Sequence, residues 1–189
     1  GNIPGGRYLG VSWIDTSGNL WLFGGVCYYM TGTVEVLNDL WKFDGTNWTW
    51  VSGSNIIGIG QWGVYGTKGT ADPNNIPGAR SSSIIQMDTS GNLWLLGGLG
   101  YDSAGNGNYL NDLWKYDGVN WTWVSGSDTA EQVGVYGIKG TADPGNIPGG
   151  RCGGVSWIDT SGDFWIFGGE GYGEGGCFGL LGDLWKYTP

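Results

Sequence analysis

The chain has no histidine, only three cysteines and only eight Lys+Arg. Without histidine there can be no Ser–His or Cys–His nucleophile pair and no His-bearing metal site. Eight cations against seventeen Asp+Glu give a net charge of −9 and a pI near 4.1. A polyanion such as DNA or RNA would be repelled, and no basic cluster offers a local exception. No run of about 18 apolar residues marks a helical membrane span. Paired carboxylates remain available for chemistry in principle. Most acids, however, fall in turn sequences such as Asp15, Asp88 and Asp159 or in a repeated Asp-Leu-Trp. No P-loop or dinucleotide-binding pattern stands out. The first residue is Gly1 rather than Met, so a processed, excised or partial chain is expected.

What the sequence has in quantity is glycine and aromatics: 41 Gly, 13 Trp and 10 Tyr in 189 residues, 13% of which are charged. Glycine without a three-residue period is not collagen-like, and 40% hydrophobic with 15% aromatic is too apolar for disorder. Many turns between short aromatic strands need this mixture. The expected class is all-β.

Internal repetition sets the organisation. Arg7, Arg80 and Arg151 open equivalent segments a little over 70 residues apart. Gly24-Gly25, Gly97-Gly98 and Gly168-Gly169 keep the same register, as do Asp39-Leu40-Trp41, Asp112-Leu113-Trp114 and Asp183-Leu184-Trp185. Gly1–Arg7 is identical to Gly145–Arg151, and Val11–Gly18 to Val155–Gly162. The expected units are 1–73, 74–144 and 145–189, forming a single segment, the last unit without its final strand after Tyr187. Each full unit reads as four strands. In the first, Arg7–Ile14 turns through Asp15-Thr16-Ser17-Gly18 into Leu20–Gly24, and Leu37–Phe43 turns around Asp44-Gly45 into Asn47–Ser52. Two antiparallel hairpins per unit follow.

The pattern Arg7, Gly24-Gly25, Asn38–Phe43 and Trp48, present in all three units apart from the last Trp of the third, resembles the Kelch repeat. It is most similar to the tandem Kelch-like repeats of large bacterial secreted or surface proteins. The resemblance implies a radial β-propeller of four-stranded blades and an extracellular or cell-surface location, and implies little about chemistry. Some Kelch-fold oxidases hold copper partly through histidine, so that activity does not carry over, and no cofactor is expected. Kelch units ordinarily run about 50 residues. Here the excess lies in flaps such as Gly53–Ala79, where Val64-Tyr65-Gly66 and Val135-Tyr136-Gly137 recur. An ordered flap packing on neighbouring blades is the leading expectation, with a binding surface as the alternative. Propellers close with about four to eight blades. About three blades cannot close a ring alone, so further blades of a longer chain or other copies are expected to complete it.

Several residues carry both a structural and a functional reading. Arg7, Arg80 and Arg151 either pair with oxygens of their own or adjacent blades, Asp39, Asp112 and Asp183 first, or line a channel for an acidic ligand. The segment from Asp102 to Asn108 is rich in oxygen but lacks the spacing and closing Glu of a calcium loop, and reads as a solvated loop. Most Trp recur at fixed strand positions, as blade packing needs. Trp62 lies in a flap and is the candidate for ligand contact. Asn47 and Asn120 open Asn-Trp-Thr glycosylation patterns at equivalent positions, unmodified in a bacterial source. Hairpin pairing sets Cys152 opposite Gly169, so a returning loop is expected to bring Cys177 into a disulfide with it, leaving Cys27 free or intermolecular. The leading functional expectation is a non-enzymatic extracellular structural or interaction module. A carbohydrate- or protein-binding propeller comes second, and a carboxylate- or Arg-dependent sugar-processing enzyme last.

Overall fold

The computed structural model describes residues 2–28, 32–54, 56 and 61–189. It is all-β and antiparallel, and the helical structure among those residues is one 3₁₀ turn, Glu174–Gly176. No helix of the described residues is long and apolar enough to cross a membrane.

Sheet 1 contains β1 (Val11–Ile14), β2 (Leu20–Tyr28), β3 (Val34–Phe43) and β4 (Trp48–Ser52), in that order. Sheet 2 repeats it with β7 (Ile84–Met87), β8 (Leu93–Tyr101), β9 (Gly107–Tyr116) and β10 (Trp121–Ser125). Two short strands extend it: β6 (Arg80–Ser81) pairs with β8, and β5 (Ala71–Asp72) adds to the outer edge at β10. The third unit divides into two three-stranded pieces. One holds β12 (Val155–Ile158), β13 (Phe164–Phe167) and β16 (Leu184–Tyr187). The other runs β11 (Arg151–Cys152), β14 (Glu170–Tyr172) and β15 (Phe178–Leu180).

Strand bounds differ from the sequence reading in a consistent way. In the first two units the second and third strands do not stop at the Gly pair. In the first unit they continue through it as far as Tyr28 and Val34, with a register shift between Phe23 and Gly25. Both glycines have positive φ, 62° and 102°, so the strand bends instead of ending. The Arg-led strand, in contrast, is broken. Tyr8 makes one bridge to Val26, Leu9 turns into the left-handed region at φ 55°, and β1 starts only at Val11. Ser82 and Gly153, the equivalents of Leu9, are left-handed too, at 54° and 68°.

Alternation along each strand gives every sheet two apolar faces. Trp21, Phe23 and Leu40 of sheet 1 pack on Leu93, Leu95, Trp114 and Tyr116 of sheet 2. The opposite face of sheet 2, Ile84, Trp94, Leu96 and Leu113, packs on Phe164 and Ile166 of the third unit. The sheets thus form an open stack of three layers with no closed ring among the described residues, and only the middle layer is covered on both sides. Close approach between layers runs through the Gly pairs: a Cβ on Gly24 would lie 2.6 Å from the Arg80 carbonyl oxygen, and one on Gly97 2.6 Å from that of Arg151. A backbone ladder follows the same line, Ser82 N–H to Leu9 O and Gly153 N–H to Ser82 O, each 3.0 Å.

Candidate functional site

The most highly organised polar groups are three Arg–Asp clusters, one per unit. Arg80 donates from Nη1 to Asp112 Oδ1 and from Nη2 to Asp112 Oδ2, both at 2.7 Å. Its Nε and Nη1 also reach the carbonyls of Gly78 and Gly97. Arg7 makes the same set with Asp39, Gly5 and Gly24, and Arg151 with Asp183, Gly149 and Gly168. This planar two-pronged pairing uses the guanidinium fork fully, so none of the three is aimed at an acidic ligand. The indoles of Trp41, Trp114 and Trp185 donate to the same carboxylates.

Two of the clusters receive a tyrosine from the connecting segment before them, here called a strap. In strap 61–79, the Tyr65 hydroxyl donates to Asp112 Oδ2 at 2.7 Å, and in strap 132–150 Tyr136 donates to Asp183 Oδ2 at 2.5 Å. The straps are therefore fastened to the unit that follows them, and the 73/74 boundary read from the sequence leaves β5 with the sheet it does not pair with. Burial opposes charge on Arg80, but the Asp112 carboxylate beside it outweighs that and raises its pKa. Burial pushes Asp183 up, yet hydrogen bonds from Arg151, Tyr136 and Trp185 win and bring it down to about 2. Tyr136 is pushed up to about 12 by burial and by the Asp183 carboxylate it donates to.

A second repeated polar device closes the first hairpin. Asp15 Oδ1 accepts the backbone N–H of Ser17 and Asn19, while Oδ2 accepts the Asn19 amide and the Trp21 indole. Asp88 repeats all four bonds. In the third unit Asp163 replaces the asparagine and cannot donate, so it takes Lys186 Nζ at 2.8 Å instead. These acids organise turns. Among the described residues no group of three or more Asp, Glu or Cys is gathered to hold a metal ion.

The remaining sequence candidates are placed as follows. Asp102 is buried, not solvated, and accepts N–H groups of Ala104, Asn106 and Ala130 and the Asn106 amide. Its carboxylate fastens the loop by accepting all four bonds. Trp62 is 52% exposed and rests on that loop, since a Cβ on Gly105 would come within 2.5 Å of its Nε1. Its counterpart Val133 sits likewise over Gly176. Asn47 and Asn120 lie in the β3–β4 and β9–β10 turns, their N–H groups on Asp44 and Asp117.

The expected disulfide is absent: Cys27, Cys152 and Cys177 are all free thiols. The register explains it. Cys152 pairs with Glu170, not Gly169, and β14 lies between β11 and β15. Cys177 precedes β15, whose Leu180 is the residue level with Glu170. Two strand spacings across and three residues along each amount to about 10 Å, beyond the roughly 7 Å between Cα atoms that a disulfide allows.

A shallow cavity of about 230 Å³ opens between β10 and strap 132–150, lined by Lys68, Trp123, Ser127, Gln132 and Val135 among others. Its one cation is committed, with Lys68 Nζ donating to the Gly126 carbonyl at 2.8 Å and lying 4.2 Å from the Trp123 ring centre.

No family model matches the chain, and no curated protein does. Among solved structures it is similar to the structure of YjhT, at 14% identity and a TM-score of 0.36, over 94% of this chain and 80% of that one. That likeness assigns no fold. What the polar clusters of this chain do is positional: they lock turns, sheets and straps together, and every charged group in them already has its partner.

Proposed function

We propose that the three layers are blades of a Kelch-like β-propeller segment, and that the chain is a non-enzymatic, extracellular structural module that associates through its two outer faces. One observation carries this reading. The outer face of the third unit presents Val155, Trp157, Phe167 and Leu184, between 41% and 59% exposed. Their counterparts in sheet 1 are Val11, Trp13, Phe23 and Leu40, which pack toward sheet 2. The outer face of sheet 1, with Leu20, Leu22, Trp41, Phe43 and Trp48, has counterparts in Leu93, Leu95, Trp114, Tyr116 and Trp121, which receive that packing. The two ends of the stack are thus unlike each other and complementary by the chain's own internal contact. Such faces join head to tail, giving a ring if the rotation closes and a filament if it does not. Further blades can cover them in the same way.

Light scattering over a hundredfold concentration range tests the reading. Mass rising with concentration, and falling back on Phe167→Asp, is the expected result. A monomer at every concentration refutes self-association.

A carbohydrate-binding reading has a narrower basis, the half-exposed ring of Trp62. Binding on a glycan array that is lost with Trp62→Ala supports it.

A further inference from the structure

The loop between β8 and β9 is tied to both straps. Asp102 is 1% exposed, and its carboxylate accepts the N–H groups of Ala104, Asn106 and Ala130 together with the Asn106 amide. Ala130 belongs to the segment that enters strap 132–150, and Ser103 N–H holds the same segment through the Asp128 carbonyl at 2.9 Å. From strap 61–79, Gly63 N–H donates to the Asp102 carbonyl and Trp62 rests on Gly105.

The Asn106 amide supplies one of the four bonds, 3.1 Å from Asp102 Oδ2. The same device, an aspartate with an asparagine four residues on, closes the hairpins at Asp15–Asn19 and Asp88–Asn92. There the next residue is Leu20 or Leu93, whereas Asn106 is followed by Gly107, and no other asparagine of the chain precedes a glycine. Glycine has no Cβ to shield its backbone nitrogen. The register leaves that nitrogen untied. Asp102 N–H bonds to Asn106 O, so Tyr101 and Gly107 form the next, non-hydrogen-bonded pair, with the Gly107 N–H turned away from β8. Asn106 and Gly107 are both exposed to water.

We propose that Asn106-Gly107 is a site of spontaneous deamidation, and that conversion of Asn106 to an acid unfastens the loop from the segment entering strap 132–150. The Gly107 nitrogen attacks Asn106 Cγ, and its proton passes to solvent. The new C–N bond closes a cyclic imide, and the side-chain nitrogen leaves as ammonia with a proton taken from solvent. Water then adds at either imide carbonyl and opens the ring to aspartate or isoaspartate. The aspartate sets a second carboxylate against buried Asp102, where a donor stood. The third unit shows what such a pair requires. Asp163 stands in the asparagine's place beside Asp159, and Lys186 Nζ lies 2.8 Å from it. No lysine or arginine among the described residues pairs with Asp102, and the adjoining segment brings Asp128 and Glu131 instead. Like charges sharing one site repel, so the carboxylate of Asp102 moves off its donors and the tie to Ala130 goes with it.

The test ages the intact protein in mildly alkaline buffer and follows each asparagine by peptide mapping, which resolves amide, aspartate and isoaspartate. Conversion at Asn106 should outrun that at Asn19 and Asn92 severalfold, and Gly107→Ala should slow it. Equal rates at the three positions overturn the site. The state of the loop is read by hydrogen exchange of the Ser103 and Ala130 amides. In the aged protein and in Asn106→Asp these should exchange at least about tenfold faster, as the loss of a hydrogen bond to a charged acceptor implies. Asn106→Ala removes the donor without adding charge and should change them less. Exchange no faster in Asn106→Asp and in aged protein than in Asn106→Ala overturns the unfastening.

Discussion

Tyr65 and Asp112 are 47 residues apart in sequence and joined by a 2.7 Å hydrogen bond in the fold. The bond ties the segment leaving one sheet to the salt bridge at the centre of the next. The stack is therefore held by contacts between successive units as much as by those within each.

That bond has a measurable worth. Tyr65→Phe keeps the ring between Trp114 and Trp123 and removes only the hydroxyl, leaving the Arg80 pair intact. The expected loss is about 2 kcal/mol in urea denaturation, as for a buried hydrogen bond to a charged group. A change within error shows that the Arg80–Asp112 pair needs no third partner.

The three Arg–Asp salt bridges differ in burial, and removing them should differ in cost. Arg80 and Asp112 side chains are fully buried, whereas those of Arg7 and Asp39 retain 7% and 9% exposure. Arg80→Ala strands a buried carboxylate and should cost about 3–5 kcal/mol. Arg7→Ala should cost distinctly less, because water can reach Asp39. Equal losses in parallel denaturation curves contradict this ordering.

Glycines separate steric from conformational cost. A Cβ on Gly97 would lie 2.5 Å from Leu110 O and 2.6 Å from Arg151 O, so Gly97→Ala should cost about 3 kcal/mol or more by forcing two layers apart. Gly140 has φ 79° with no atom within 4 Å of the added carbon, so Gly140→Ala should cost only about 1 kcal/mol, the price of the left-handed backbone. Thermal melts of both variants decide it.

Stability should fall on both sides of neutrality. Asp15 and Asp183 are drawn down to about 2, in each case because hydrogen bonds overcome the opposing effect of burial. A carboxyl with a lowered folded pKa stabilises the fold above its unfolded value near 4, and that contribution is lost as pH falls toward 2. Tyr116 and Tyr136 are pushed up to about 12, chiefly by burial. Their contribution is complete below about pH 10 and lost as pH rises through the folded value. Urea midpoints should be level between about pH 5 and 9 and drop beyond those limits. A protein still fully stable at pH 2 contradicts the assignment of these carboxylates.

The thiols should react in order of exposure. Cys177 is exposed, Cys152 part-buried and Cys27 buried, with burial pushing the thiol pKa of the latter two up. A chromogenic disulfide reagent should modify Cys177 first and Cys27 only after unfolding. A non-reducing peptide map that joins Cys152 to Cys177 contradicts the register described above.

The all-β class and the hairpins were readable because turn residues and strand periods recur in three copies. Asp44-Gly45 marks a reversal wherever it stands, and the structure has one there. The left-handed break at Leu9 was harder to see, because leucine does not advertise positive φ. Its copy Gly153 does, so aligning the units was the available signal. The partner of each strap tyrosine was not readable, since hydrogen bonding across 47 residues leaves no local pattern. The disulfide failed because β14 stands between the two cysteines, with Cys152 on β11 and Cys177 just before β15. The sequence showed no sign that β14 begins at Glu170, after the left-handed Gly168-Gly169, and pairs with both β11 and β15.

The ladder from Leu9 through Ser82 to Gly153 is made of backbone atoms alone. Three different side chains stand at one structural position, and the hydrogen bonds along it are the same length. Successive units meet along this line through backbone atoms, and elsewhere through their side-chain faces. The joint asks of its residue a left-handed backbone rather than a particular side chain, so this line of the stack constrains conformation more than chemistry.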